Sequence, residues 1–156
     1  MLKFNESYHY FKALSNIAIV YASLQYQDRA YEILQNAILK VKNHLFSFES
    51  DLSDILSAIT SASINLHDKT KTYVILKQAF SYTQNISYEI AQSKALSNIA
   101  TVYASLDDKG KAYALLKQAL SHTKNIDNNL DQFEVFSKIA TIYAAIHDNN
   151  KAHDFL

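Results

Sequence analysis

The sequence predicts an all-α protein in which four similar pairs of helices follow one another along the chain. Three observations predict this class. The segment KALSNIAIVYASL at 12–24 returns at 94–106 with a single difference, Thr101 in place of Ile19. Apolar residues recur with the period of an amphipathic helix. The 156 residues include one glycine and no proline, so the turns must be made by Asn, Asp and Ser rather than by the residues that β-hairpins require.

The repeated segment occurs four times. Weaker copies lie at 54–66 and 134–146. One apolar position aligns all four copies at spacings of 42, 40 and 40 residues: Leu14, Leu56, Leu96 and Phe136. A second block of helical period follows each copy, at 30–37, 72–79, 112–119 and, only begun, from 152. The sequence therefore predicts one domain, 1–156, of four units at about 7–46, 47–86, 87–126 and 127–156, the last incomplete.

Each unit is predicted to be a first helix, a turn and a second helix. The predicted helices are about 6–24, 28–43, 48–66, 69–84, 88–106, 109–124, 129–146 and 149–156. The segment 107–110, which contains the single glycine, predicts a turn. An aspartate lies near the start of every second helix, where a carboxylate can cap free N–H groups: Asp28, Asp68, Asp108 and Asp148.

The repeated positions resemble a known pattern. In the third unit Ile99, Ala100 and Tyr103 are followed by Ala112, Leu116 and Ala119, which is similar to the tetratricopeptide repeat (TPR). The period of 40–42 residues and the Asn before the Ile-Ala pair look like the kinesin-light-chain type and the similar repeats of bacterial regulators. The glycines and terminal proline of that family are missing here, and Ser63 replaces the aromatic residue of the second unit, which predicts a looser core there.

This resemblance implies a right-handed α-solenoid whose first helices line a concave groove that binds a peptide or protein segment. It implies the following groove residues: Lys12, Asn16, Ile19, Ser23, Ser57, Ser61, Asn65, Lys94, Asn98, Thr101, Ser105 and Lys138. The same faces also carry Ser15, Asp54, Ala58, Ser97, Glu134, Ser137, Thr141 and Ala145. An Asn amide both donates and accepts, so Asn16 and Asn98 could pair with a peptide backbone. Plain duplication of a surface explains their recurrence equally well.

Two other functions remain open on the sequence alone. The chain could be the sensory or regulatory TPR segment of a larger signalling protein, or a helical repeat that binds nucleic acid. Lys and Arg together number 15, as do Asp and Glu, and this balance argues against phosphate-driven binding to nucleic acid. The predicted partner is thus a protein or peptide, with no nucleic acid and no membrane. End-to-end self-association is predicted through the C-terminal repeat.

Catalysis is not predicted. The sequence has no Cys, and its six His residues show no metal-ligand spacing, so neither a metal nor another cofactor is expected. No paired carboxylates or Ser/His/Asp set can be assigned. The start of the chain lacks an apolar run typical of a signal peptide, and the composition mildly favours a cytoplasmic location.

Overall fold

The computed structural model describes residues 4–42 and 49–146, which form α-helices joined by short connections and contain no β-strand. The helices of this part are α1 (Phe4–Ser23), α2 (Gln27–Val41), α3 (Glu49–Ser63), α4 (Lys69–Thr83), α5 (Glu89–Ser105), α6 (Lys109–Thr123) and α7 (Asn129–Ala145). No helix in these two ranges is both long and apolar enough to cross a membrane. The all-α class predicted from the sequence is confirmed.

The predicted helix ends agree with the structure to within two residues, with one exception. The third helix ends as an α-helix at Ser63 and continues as one 3₁₀ turn, Ile64–Leu66. The predicted helix 149–156 lies outside the described residues. The positions of the seven others follow from the apolar period, which the burial pattern of the chain reproduces.

The odd-numbered helices are in contact along the chain. Helices α1, α3 and α5 each contact the even-numbered helix that follows, and each contacts the next odd-numbered helix: α1 on α3, α3 on α5, and α5 on α7. One apolar residue of each later helix lies at the centre of this second contact. Ile59, Ile99 and Ile139 are all 0% exposed. The buried apolar residues form a single continuous cluster that includes members from every helix described.

Stacked tyrosines join successive helix pairs. The rings of Tyr73 and Tyr103 are 5.7 Å apart, and those of Tyr113 and Tyr143 are 5.6 Å apart. The aligned position after the first pair is Ser63, which is fully buried and donates its hydroxyl to a backbone carbonyl at 2.6 Å. The aromatic stack is therefore present at the two later boundaries and replaced by a small polar residue at the first.

A glutamine bond also repeats between successive pairs. The side-chain amide of Gln92 donates to the carbonyl of Thr83 at 3.2 Å, and that of Gln132 donates to the carbonyl of Thr123 at 3.2 Å. Each threonine ends its helix, where backbone carbonyls lack an intrahelical partner. At the first boundary Val41 offers the same backbone carbonyl, but Leu52 stands at the position of the glutamine and has no amide to donate.

The turn inside each pair takes a left-handed residue at the same repeat position. Gln25, His67 and Asp107 have φ values of 69°, 50° and 62°. After α1 and α5, the backbone amides of the left-handed residue and of the residue that follows it donate to carbonyls of the last helical turn, which is the Schellman pattern. The prediction of a turn across 107–110 is wrong in its second half, because α6 begins at Lys109 and Gly110 is helical.

Two of the four predicted aspartate caps form. Asp68 accepts from the backbone N–H of Lys71 at 3.1 Å, and Asp108 accepts from that of Lys111 at 3.2 Å. Asp28 is not a cap: it lies within the first turn of α2, and the N-cap residue is Tyr26, which makes no side-chain cap bond. Asp28 lies two residues after the position that aligns with Asp68 and Asp108, and Tyr26 occupies that position in the first unit. Asp148 lies outside the described residues.

Replacing Tyr26 by Asp should stabilise the protein. Tyr26 has φ −87° and ψ 61°, close to the −89° and 67° of the capping residue Asp108. A new cap is worth about 0.5–2 kcal/mol, reduced by loss of the edge-on contact between Tyr26 and Tyr21. Urea unfolding should show the midpoint rising for Tyr26→Asp and falling for Asp108→Ala. An unchanged midpoint in the first variant would contradict the cap assignment.

Replacing Gly110 by Ala should also stabilise the protein, by about 0.4–1 kcal/mol, because Ala has fewer conformations to lose on folding. A Cβ at this position would meet only the Asp108 carboxylate, at an ordinary 4.0 Å. Thermal unfolding of Gly110→Ala should give a higher Tm than the wild type. Ala114→Gly, on an exposed site of the same helix, is the reverse control and should lower it.

Candidate functional site

The twelve predicted groove residues all retain exposed side-chain surface. Those on α1 are exposed, and those on α5 and α7 range from half-buried to exposed. Asn65 lies on the 3₁₀ turn rather than on α3, and its amide donates to the carbonyl of Ala62. The structure therefore leaves every one of these side chains available to solvent, although several already have partners within the chain.

The serine of the repeated Ser-Asn pair faces inward. Ser15 and Ser97 were expected on the groove face, but they are 2% and 0% exposed. Three and seven residues beyond Ser15 lie Ala18 and Ala22, each 1% exposed, and this spacing places all three on one helix face. Ser15 bonds the Phe11 carbonyl at 3.0 Å. The serine thus belongs to the core, and only the asparagine remains on the surface.

A cleft of about 440 Å³ opens between α5 and α7. It is lined by Thr101, Ala104, Ser105, Lys138, Thr141, Ile142 and Ala145. All of these except Ala104 and Ile142 lie on the predicted groove faces. The two exceptions follow Thr101 and Lys138 by three and four residues on their own helices, and this spacing is the signal in the sequence that could have identified them.

The hydroxyl groups of this cleft are turned back to their own helices. Thr101 and Thr141 donate to the carbonyls four residues earlier, each at 2.9 Å, and Ser105 donates to the carbonyl of Val102 at 2.7 Å. Their hydroxyl hydrogens are therefore already donated within the chain, whereas their oxygen lone pairs and the threonine methyl groups can still contact a ligand. With Ala104 and Ile142, they give the cleft mainly apolar walls and only weak acceptors.

Lys138 supplies the charge of the cleft. Its half-buried ammonium group donates to the side-chain oxygen of Asn98. Burial lowers the pKa of Lys138, the positive charge of Lys94 lowers it further, and the negative charges of Glu134 and Asp54 oppose these effects. Glu134 is already paired with Lys94 at 2.9 Å. Within residues 4–42 and 49–146, no carboxylate forms an ion pair with Lys138, so a cation remains beside apolar walls with only a neutral amide as its partner.

The two copies of the repeated asparagine have different surroundings. Asn98 is half-buried and holds Lys138, which occupies the aligned position of the next unit. Asn16 is exposed, and the aligned residue of the next unit is Ala58, which has no polar group to offer. Because Lys138 can only donate, the oxygen of Asn98 must face it, and the amide NH₂ stays directed elsewhere.

A smaller cleft of about 200 Å³ is lined by residues of α3 and α5 and by residues near the starts of α5 and α7. It is lined by Ser53, Asp54, Tyr88, Ile90, Ala91, Lys94 and Asp131. The hydroxyl of Ser53 is buried there, with no hydrogen-bond partner among the residues described. Lys94, a predicted groove residue, lines this smaller cleft and forms an ion pair with Glu134 from α5 to α7.

The described part of the chain holds no group of three or more His, Cys, Asp or Glu side chains that could bind a metal ion. Comparison with known families finds no matching family model, and comparisons with characterised proteins and with solved structures find no match either. The functional interpretation therefore rests on the chain's own residues.

The two asparagines should respond differently to mutation. Asn98→Ala removes the acceptor of a half-buried ammonium group, and hydrogen bonds to charged groups contribute about 1.5–3 kcal/mol. Asn16→Ala removes an exposed residue that forms helix less readily than Ala, so its effect should be neutral or about 0.5 kcal/mol stabilising. Urea unfolding of both single variants measures this difference. Equal effects would contradict the structural role assigned to Asn98.

Proposed function

We propose that this chain is a right-handed α-solenoid of TPR-like repeats that binds a peptide or protein segment in the groove along its first helices. The observation that carries the proposal is the cleft between α5 and α7, where Thr101, Ser105 and Lys138 converge. All three are among the groove residues that the resemblance to the tetratricopeptide repeat implies. A concave site with mainly apolar walls and a few directed polar groups is typical of ligand sites.

The repeated contacts support the solenoid interpretation. Each odd-numbered helix packs on the next, and the tyrosine stack and the glutamine bond recur at successive boundaries. Structures in which each unit contacts only its neighbours extend in one direction and present a long surface on one side. The four-unit division of 1–156 and its placement in the cytoplasm stay predictions of the sequence.

The chemistry of the cleft indicates what part of a peptide it would hold. An apolar side chain fits between Ala104, Ile142 and Ala145, where it would displace poorly bound water. The ammonium group of Lys138 can donate further hydrogen bonds to a carbonyl or carboxylate of the ligand, and the NH₂ of Asn98 can donate to a backbone carbonyl. A peptide with an apolar residue next to an acceptor group meets both requirements. Binding of this kind needs no catalytic group and no cofactor.

Selection of displayed random peptides on the immobilised chain tests the proposal. A selected peptide should lose about tenfold or more in affinity to Thr101→Arg, because the long side chain fills the cleft and adds a second positive charge. Ala114→Arg, on an exposed face of α6 away from the cleft, is the matched control and should bind as the wild type does. Calorimetry measures both variants. Selected peptides that bind Thr101→Arg with unchanged affinity, or the failure of any peptide to be enriched, would count against this function.

A further inference from the structure

One face of α1 is apolar and exposed. Its residues follow the spacing of three and four that marks a contact stripe on a helix. Ile17 is 45% exposed, Val20 is 56% exposed and Leu24 is 60% exposed. Tyr10, at 36%, extends the stripe toward the start of the helix. Contiguous apolar surface of this kind marks interaction sites more often than isolated exposed residues do.

The aligned residues of the later units are buried. At the position of Ile17 stand Ile59, Ile99 and Ile139, which are all 0% exposed. At the position of Val20 stand Ala62, Val102 and Ile142, which are 2%, 1% and 4% exposed. In each case the preceding odd-numbered helix shields these residues from solvent, since α3 packs on α1, α5 on α3 and α7 on α5. The α1 stripe is thus the same surface without a neighbour among the described residues.

The sequence makes this equivalence close. Residues 12–24 of α1 and 94–106 of α5 differ at one position only, and that position, Ile19 or Thr101, is exposed in both. The α5 copy is built to lie on the helix before it. The α1 copy carries the same side chains in the same order. It should therefore pack on the same kind of surface, which is the face of an odd-numbered helix that contacts the next unit.

We infer that the α1 stripe takes helix α7 of a second copy of this chain, in a head-to-tail contact that repeats the packing between successive units. The α5–α7 cleft shows which residues meet: Thr101, Ala104 and Ser105 of α5 face Lys138 and Ile142 of α7. The aligned residues of α7 are Thr141, Ala144 and Ala145, all exposed. Those of α1 are Asn16 and Val20, also exposed.

The charges along the odd-numbered helices favour this occupant. One repeat position alternates in sign from unit to unit: Lys12, Asp54, Lys94 and Glu134. Within the chain, Lys94 and Glu134 pair at 2.9 Å. A head-to-tail contact brings Glu134 of one copy next to Lys12 of the other and continues the alternation. Two α1 stripes packed on each other would provide no carboxylate from α7 for Lys12.

Such a contact joins two different surfaces, the α1 stripe of one copy and α7 of the next. The first and last copies of an assembly therefore each keep one of these surfaces unoccupied, and further copies can add unless the rotation between copies closes a ring. The expected behaviour is stepwise growth with concentration. Thr141 and Ala145 line both the cleft and the α7 side of this contact, so the inference is tested apart from peptide binding by variants on the α1 side, which is not part of the cleft.

Sedimentation equilibrium over a concentration series tests the inference on the full 156-residue chain. The wild type should show an average mass that rises beyond a dimer. Val20→Lys should weaken association by about tenfold or more, because the charge would be buried at the centre of the contact. Leu39→Lys is the matched control: Leu39 is 45% exposed, its aligned residues Ser81 and Ser121 are exposed as well, and the variant should associate as the wild type does. Circular dichroism verifies that each variant is folded.

A charge exchange keeps the inference testable if Val20→Lys does not fold. Lys12→Glu and Glu134→Lys should each weaken association, since like charges would meet at every junction. The double variant should recover it, and so should an equimolar mixture of the two single variants, because every junction then joins opposite charges. A monomer at all concentrations, growth that stops at a dimer, or no recovery in the double variant would each overturn the head-to-tail contact.

Discussion

The packing of each odd-numbered helix on the next is the contact on which the rest of the structure depends. Its centre is a wholly buried isoleucine, Ile59, Ile99 or Ile139, and burying such a side chain stabilises a protein by about 1.5–3 kcal/mol. Three of these together compare with the 5–15 kcal/mol by which a whole domain is stable. The same contact fixes the separation of α5 and α7 and so creates the cleft between them. The core and the candidate site therefore belong to one interface. A substitution in the core will change the separation of α5 and α7, and a substitution in the cleft will change the stability of the contact.

Polar side chains at the margin of this interface form different hydrogen bonds from unit to unit. Gln92 and Gln132 satisfy helix-end carbonyls, and Asn98 holds the half-buried charge of Lys138. Each glutamine bond contributes only about 0.5–1.5 kcal/mol, because folding gives up bonds to water to form it, whereas the bond from the charged Lys138 contributes about 1.5–3 kcal/mol. Their effect is directional: they fix how far one helix pair is rotated on the next. The apolar contact supplies the stability, and the polar bonds select one arrangement of it.

The helices could be predicted from the sequence because they depend on the apolar period alone, while most cleft residues were implied by the resemblance to the tetratricopeptide repeat. A spacing of three and four residues specifies which side chains share a face, whatever lies opposite. The surroundings of identical residues could not be predicted in this way. Asn16 and Asn98 lie in nearly the same local sequence, yet among the residues described only Asn98 has a side-chain partner, because Lys138 of α7 donates to it across to α5. The inward position of Ser15 and Ser97 was not predicted, because the burial of a small polar residue depends on which helices pack against it.

The boundary between the first two helix pairs differs from the later ones in the kind of contact that holds it together. It lacks the tyrosine stack, because Ser63 replaces the ring, and it lacks the glutamine bond, because Leu52 stands where Gln92 and Gln132 donate. Its added links are the ion pair of Lys71 with the exposed Asp28 and the contact of Lys71 with the ring of Tyr31, and exposed ion pairs contribute little. Its helices nevertheless pack more extensively than those of the later boundaries, since α1 and α2 both contact α3 and α2 also contacts α4. The docking of the α1–α2 hairpin therefore rests on apolar burial more than on directed polar bonds, and because such burial stabilises less on cooling, this docking is the one that low temperature weakens most.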